Sequence, residues 1–346
     1  MRKIFKLALM GLLTMSMAVG CTPSQSTGAQ AGEAENKTPD KVRVAYMPNM
    51  GSASAVVSGI EQGYFEEYGL DIELVQFAGG PAEIAALASG DIQIAQIGHG
   101  AHALCIEGEA KVFAIDALSL SDVVLANKDK GVSSIEDLKG KKVAVQAGTS
   151  SEIILNLALE KAGMTQKDLE IIQMEASGMV SAMVGGSIDA CATWEPSSTT
   201  IMNQMGDSCI TLAGNEDFLE QATFASGYIT TDKYAKENKD ILVRFAKALL
   251  KAQDYRNPHI EEICKAVAKL IEADEATILD TKNGAKWLTG EEIKASLEDG
   301  TIKKYYESQQ QVFINAGRIP EPVPVEDYVM FDIMEEATSS YKSVSY

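Results

Sequence analysis

Gly148-Thr149-Ser150-Ser151 opens a predicted helix, and a helix start turns backbone N–H groups, here beside hydroxyls, toward a negative group. A sulfonate or carboxylate would seat there against Gly148, Thr149 and Ser150. The same stretch fits a capping box, Thr149-x-x-Glu152, with Thr149 bonding forward and Glu152 reaching back. Trp194-Glu195-Pro196 suits the opposite chemistry. Its indole can cover an apolar or cationic part of a ligand, and its carboxylate can pair with an ammonium or amidine nitrogen. Two further loops, Pro48–Ser52 and Gly98–His102, offer Asn49, Met50, Ser52, His99 and Gly100 as ligand contacts, and Ser226 joins them from Ala225–Ile229. All of these follow predicted strands or lie on a crossing between lobes, and open α/β sheets bind ligands at strand ends.

Other chemistries lack their residues. His99 and His102 stand three apart near a predicted helix start, with no carboxylate or thiolate close in sequence to complete a metal site. Beyond Cys21, the cysteines are Cys105, Cys191, Cys209 and Cys264, with no CxxC; four reduced, buried thiols are expected, with a Cys191–Cys209 bridge as the alternative. Gly98-x-Gly100-x-x-Ala103 with Asp116 downstream imitates a dinucleotide fingerprint. Its strand comes late in its lobe, and the export signal described below places the chain where nicotinamide cofactors are scarce. No cofactor is expected. The sequence contains no GxxxxGK[ST], GxSxG or HExxH.

The elements that position these loops alternate strand and helix. Lys41–Tyr46 is a predicted strand, followed by a helix through Ile60, a strand from Leu70 to Phe77, a helix over Pro81–Ser89 and a strand over Ile92–Ile97. The same order returns about a hundred residues later, with strands at Lys142–Gln146, Leu169–Met174 and Ile188–Trp194 around helices ending near Ala162 and Val184. Gly90-Asp-Ile and Gly186-Ser-Ile lie 96 positions apart, and Lys41-Val and Lys142-Val lie 101 apart. Two copies with so long a period indicate two related α/β lobes, not a solenoid. Val123–Asn127 is expected to carry the chain out of the first lobe and Ala225–Ile229 to carry it back, which makes a hinge. The expected domains are therefore 41–127 with 226–346, and 128–225. Only helices are expected after the return, over Asp240–Arg256, Ile260–Glu272, Ala276–Asp280 and Ile302–Ala316, with Ile319–Val325 extended along the surface by its prolines.

The N-terminus sets the compartment. Arg2, Lys3 and Lys6 precede an apolar run from Leu7 to Val19, too short to span a bilayer as a helix, so residues 1–20 read as an export signal. Ala18-Val19-Gly20-Cys21 resembles the bacterial lipobox, with Ala18 where leucine is usual, and implies lipidation at Cys21. Residues 22–40 are small and polar, as suits a flexible leash. Loss of residues 1–20 takes the formal charge from −19 to −22, which argues against nucleic acid as a partner. With 346 residues and 46% hydrophobic content, the chain can bury a large core.

Several segments together resemble the extracytoplasmic binding proteins for taurine, aliphatic sulfonates and nitrate, and their thiamine-pyrimidine relatives. They are Gly63–Leu70, Ala86–Ile92, Ile135–Val145, Gly186–Ala190 and Trp194–Pro196, and the likeness runs from about residue 42 to 335. The resemblance implies a two-lobed periplasmic-binding-protein-like fold of type II with two hinge crossings, and it turns the Trp194 strand end toward the cleft. It also implies a monomeric solute receptor on the outer face of the cell membrane, working with an ABC permease and its ATPase. A zwitterion such as taurine is the expected ligand, read at one end by Glu195 and at the other by the helix start at Thr149. A thiamine pyrimidine precursor or another small nitrogenous heteroaromatic, stacked on Trp194, is the alternative. A sensor that presents ligand to a receptor is a further one. A pyrimidine-synthase-like enzyme is disfavoured, because only His99 matches its histidine and its clustered cysteines are missing.

Overall fold

The computed structural model describes residues 38–343, so the export signal, Cys21 and most of the expected leash lie outside the described residues. The first lobe opens with β1 (Asp40–Tyr46), α1 (Met50–Glu61), α2 (Tyr64–Glu67), β2 (Leu70–Gln76) and α3 (Gly80–Ser89), and continues with β3 (Ile94–Ile97), α4 (His102–Ile106) and β4 (Lys111–Ser119). The second lobe comprises β5 (Asp122–Asn127), β6 (Lys142–Val145), α5 (Ser150–Lys161), β7 (Glu170–Gln173), α6 (Ala176–Val184), β8 (Ala190–Trp194), α7 (Ser197–Met205) and β9 (Cys209–Gly214). The chain returns to the first lobe with β10 (Ala225–Thr230), α8 (Asp232–Glu237), α9 (Lys239–Arg256), α10 (Ile260–Leu270) and α11 (Glu275–Asp280). It ends with β11 (Ala285–Trp287), α12 (Gly290–Glu298), α13 (Thr301–Asn315) and α14 (Phe331–Ser339).

The two sheets repeat one plan. In the first the strands run β2-β1-β3-β10-β4-β11, and in the second β7-β6-β8-β5-β9. The middle strands β1 and β6 are each parallel to both neighbours. Past their exposed first residues they carry buried Val and Ala, as suits helix-covered parallel strands. The fourth strand of each sheet is antiparallel, and in both cases it is the strand by which the chain arrives from the other lobe.

That symmetry moves one expected boundary. Val123–Asn127 does not leave the first lobe, because its whole length pairs with β8 and β9. The exit falls just before it, between the end of β4 and Asp122, whereas the return at Ala225 enters the first sheet directly. The expectation of helices alone after the return also needs correction. Ala285–Trp287 adds β11 to the edge of the first sheet beside β4, where three residues are too few to show a strand period. The Pro-rich segment is pinned, with Gln310 accepting from the Val323 amide and donating to its carbonyl.

Each lobe has its own buried centre. Cys191 packs with Leu125, Met179 and Ile201 beneath the second sheet, while Phe65, Phe113, Tyr228 and Phe245 fill the first. All four cysteines of the described chain are free. Cys191 lies on β8 and Cys209 on β9, with β5 between them. Two strand spacings, about 9.5 Å, exceed the reach of a disulfide.

Candidate functional site

The strand ends of both lobes converge on one cavity lined by residues of each lobe. Each wall follows from local structure. After β1, Asn49 caps α1 by accepting from the Ser52 amide at 2.8 Å, and the Ser52 hydroxyl accepts from the Met47 amide at 2.9 Å. These bonds hold Asn49, Met50 and Ser52 on the cavity wall. Gln96, at the end of β3, braces the same loop by donating to the Gly51 carbonyl at 3.0 Å.

After β3 the chain makes a tight turn at His99. The His99 ring lies on the wall, 1% exposed, with its centroid 4.9 Å from that of Phe224. Its Nε2 is 3.8 Å from Asp122 Oδ2, and neither ring nitrogen is hydrogen-bonded. Burial lowers the imidazole pKa, against an opposing pull from the Asp122 charge, so the ring is neutral at pH 7. His102 faces elsewhere, against Gln309 and Tyr306. Among the described residues, no group of three or more His, Cys, Asp or Glu could hold a metal ion.

The second lobe supplies Thr149, Ser150, Trp194 and Glu195. Here the expected capping box does not form. Thr149 Oγ1 donates to the Gln146 carbonyl at 2.7 Å and does not cap forward, while Glu152 does reach back, accepting from the Gly148 amide at 2.9 Å. Glu152 therefore sits in a separate groove behind α5, away from the cavity. Ser226 lines the cavity from β10, its hydroxyl donating to the Ala117 carbonyl at 3.2 Å.

Gly100 and Gly148 are not on this wall. They lie at the seam between lobes, where a Cβ on Gly100 would stand 2.1 Å from the Thr149 carbonyl carbon and one on Gly148 would stand 3.2 Å from Pro81. At the same seam Gln146 Nε2 reaches the Ala78 carbonyl at 3.3 Å. The lobes are closed on each other.

Sequence reasoning missed Asp122 and Trp287. Asp122 opens β5 opposite Trp194 in the ladder; its amide donates to Asn215 Oδ1 at 2.7 Å and its Oδ2 accepts from Ser119 at 3.2 Å. The side chain is 1% exposed, yet Oδ1 has no partner. An acidic residue heading the apolar run Val123–Ala126 was the available signal. Trp287 comes from β11, its Nε1 donating to the Lys282 carbonyl at 2.7 Å and its ring centroid 4.7 Å from the guanidinium carbon of Arg256. Arg256 is buried and paired with Asp116 at 2.9 Å.

The charge inventory is one-sided. The lining includes the carboxylates Asp122 and Glu195 but no lysine or arginine. Burial raises the Glu195 carboxyl to about 8, and the charges of Asp122 and Asp280 push it the same way. Two tryptophans, one per lobe, complete the cavity.

Residues 52–262 match the family described as NMT1/THI5 like. The chain belongs to this family. A Brucella abortus (strain 2308) protein named as a candidate binding protein is 35% identical over 292 residues, covering 84% of this chain and 90% of its own. The taurine-binding periplasmic protein of Escherichia coli (strain K12) is 25% identical over 290 residues, covering 81% and 88%. The solved alkanesulfonate-binding protein of Xanthomonas axonopodis pv. citri, bound to MOPS, superposes with a TM-score of 0.64 at 21% identity, covering 85% of this chain and 99% of its own. The fold is thus the two-lobed α/β fold of the periplasmic binding proteins, as the resemblance implied. Among the described residues, no helix is long and apolar enough to cross a membrane.

Proposed function

We propose that this chain is the extracytoplasmic solute-binding component of an ABC importer. It would be tethered by a lipid on Cys21, would capture one small organic ligand by closure of its lobes, and would present that closed form to a permease and its ATPase. One observation carries the reading: the cavity takes walls from both lobes, with Trp287 and His99 on one side and Trp194, Glu195 and Thr149 on the other. A ligand there makes contacts in the closed form that the open form lacks, and only such a difference drives closure. The tether has its own test. Cys21→Ala should release the protein from membranes, and retention of the variant in the membrane fraction would refute the anchor.

Of the two ligand classes that the sequence admits, the charge inventory favours the nitrogenous heteroaromatic. Two carboxylates, a neutral imidazole and two indoles with no cationic side chain make poor company for a bare sulfonate and good company for a flat ring with N–H donors. The sulfonate reading keeps one specific support, the first turn of α5 at Thr149 and Ser150 on the wall. A thermal-shift panel on residues 41–346 separates them, using benzamidine, 2-aminopyridine and 2-aminopyrimidine against taurine, hexanesulfonate and nitrate. A ligand at a hundred times its dissociation constant adds about 2.7 kcal/mol, or a rise of roughly 5 °C for a chain of this size. A rise with hexanesulfonate or taurine alone would refute the nitrogenous class while leaving capture intact. If Trp194→Ala left the affinity of every binder unchanged, the cavity itself would be refuted as the site.

A further inference from the structure

Hydrogen-bonding capacity around the cavity is unevenly used. Gln96 is 1% exposed on the wall, and its amide orientation is fixed because Nε2 donates to the Gly51 carbonyl at 3.0 Å. Oε1 is thereby left as an acceptor, buried and without a partner. Asp122, on the same wall, accepts from the Ser119 hydroxyl at Oδ2 and has no partner at Oδ1. Both ring nitrogens of His99 are also unpartnered, with Nε2 3.8 Å from Asp122 Oδ2. Several hydroxyls of the wall have already committed their protons. Thr149 donates to the Gln146 carbonyl, Ser226 to the Ala117 carbonyl and Ser119 to Asp122. Asn215 Nδ2 is a buried donor without a partner, but Asn215 is not on the wall. Buried acceptors are rarely left unpaired in folded chains, and each costs about as much as a lost hydrogen bond until something donates to it.

We propose that Gln96 is a specificity-determining residue: its Oε1 and Asp122 Oδ1 are two acceptors that read N–H donors on one edge of the ligand, an amino or amidine group. The inference rests on the nitrogenous reading of the ligand and deepens it by naming the atoms that recognise that class. The donor edge meets Gln96 and Asp122, with the His99 ring beside them. An oxoanion brings acceptors alone, so at this wall it would set acceptor against acceptor. An apolar ring of the same shape would leave Oε1 and Oδ1 buried and unpaired, and a site built to bond a ligand N–H rejects such an analogue strongly. Gln96 thus serves two ends, bracing Gly51 through Nε2 and reading the ligand through Oε1.

The test compares 2-aminopyrimidine with 2-methylpyrimidine, because the methyl group matches the amino group in size and carries no donor. By titration calorimetry, wild type should bind the amino compound roughly 10- to 100-fold more tightly than the methyl compound. Gln96→Met keeps the side-chain length and removes the acceptor, so it should weaken the amino compound more than the methyl compound and reduce that ratio about tenfold. Asp122→Leu should reduce the ratio in the same direction. A role for Gln96 confined to bracing Gly51 would weaken both compounds equally and leave the ratio as it was. The wild-type ratio requires no variant, so the proposal remains testable if either substitution destabilises the chain. It is overturned if wild type binds the two compounds equally, if the ratio survives in Gln96→Met, or if 2-aminopyrimidine does not bind at millimolar concentration. Failure of the nitrogenous reading itself looks different, since taurine or hexanesulfonate would then bind and neither pyrimidine would.

Discussion

Replacing Gly100 by alanine should disable capture without harming the fold. In the closed form the new methyl carbon would stand 2.1 Å from the Thr149 carbonyl carbon, 2.2 Å from the Ser150 nitrogen and 2.4 Å from the Thr149 oxygen. All three are backbone atoms, so no rotamer change can relieve the clash. Restoring the nearest pair to an ordinary contact of 3.4 Å requires the lobes to part by about 1 Å along this seam. Gly100 sits at the tip of the turn after β3, facing the first residues of α5, so opening of the lobes removes the obstacle and the unliganded fold bears little cost. Overpacking of this kind costs roughly 1–3 kcal/mol, and here the cost falls on the closed form alone. Affinity for a cleft ligand should therefore fall about 5- to 150-fold. Titration calorimetry with benzamidine reads the affinity, and small-angle scattering with saturating ligand should find the variant more expanded than wild type. Unchanged affinity in Gly100→Ala would refute the closure reasoning.

Three other outcomes follow from buried groups. The folded-state pKa of Glu195, about 8, lies above its ordinary value of 4.5, so its contribution to stability is full below pH 4.5 and is lost as pH rises through 8. Wild type held in the closed form should lose stability between pH 4.5 and 8, by at most about 5 kcal/mol, and Glu195→Gln should flatten that slope; parallel curves would refute it. Arg256→Ala leaves Asp116 buried and unpaired and strips the support from Trp287, so unfolding in urea should show a loss of roughly 3–5 kcal/mol, and a loss under 1 would contradict the buried pair. Residues 41–346, unfolded without reductant, should titrate with four free thiols; two would mean a bridge across β5.

The sequence by itself determined the order of elements, the two-lobed repeat and the strand-end loops that make the cavity. These are local properties: hydrophobic period marks strands and helices, and glycines and caps mark their ends. Asn49, Ser52, His99, Thr149, Trp194 and Glu195 all reached the wall because strand ends of an open α/β sheet share one edge. Local reading failed where two local rules competed or where a segment was short. Thr149 had a carbonyl at Gln146 within reach and used it in place of the cap. Three residues of β11 showed no period, and Val123–Asn127 reads equally well as leaving one sheet or entering another. Tertiary structure alone decided the rest. Trp287 and Trp194 stand 93 positions apart in the chain and meet around one space only because the lobes fold over it. Gly100 acquires its role from a backbone in the other lobe, and the Glu195 carboxyl is pushed up because burial and the charges of Asp122 and Asp280 arrive together. Electrostatic and steric terms of this kind depend on distance in space, which sequence separation does not encode.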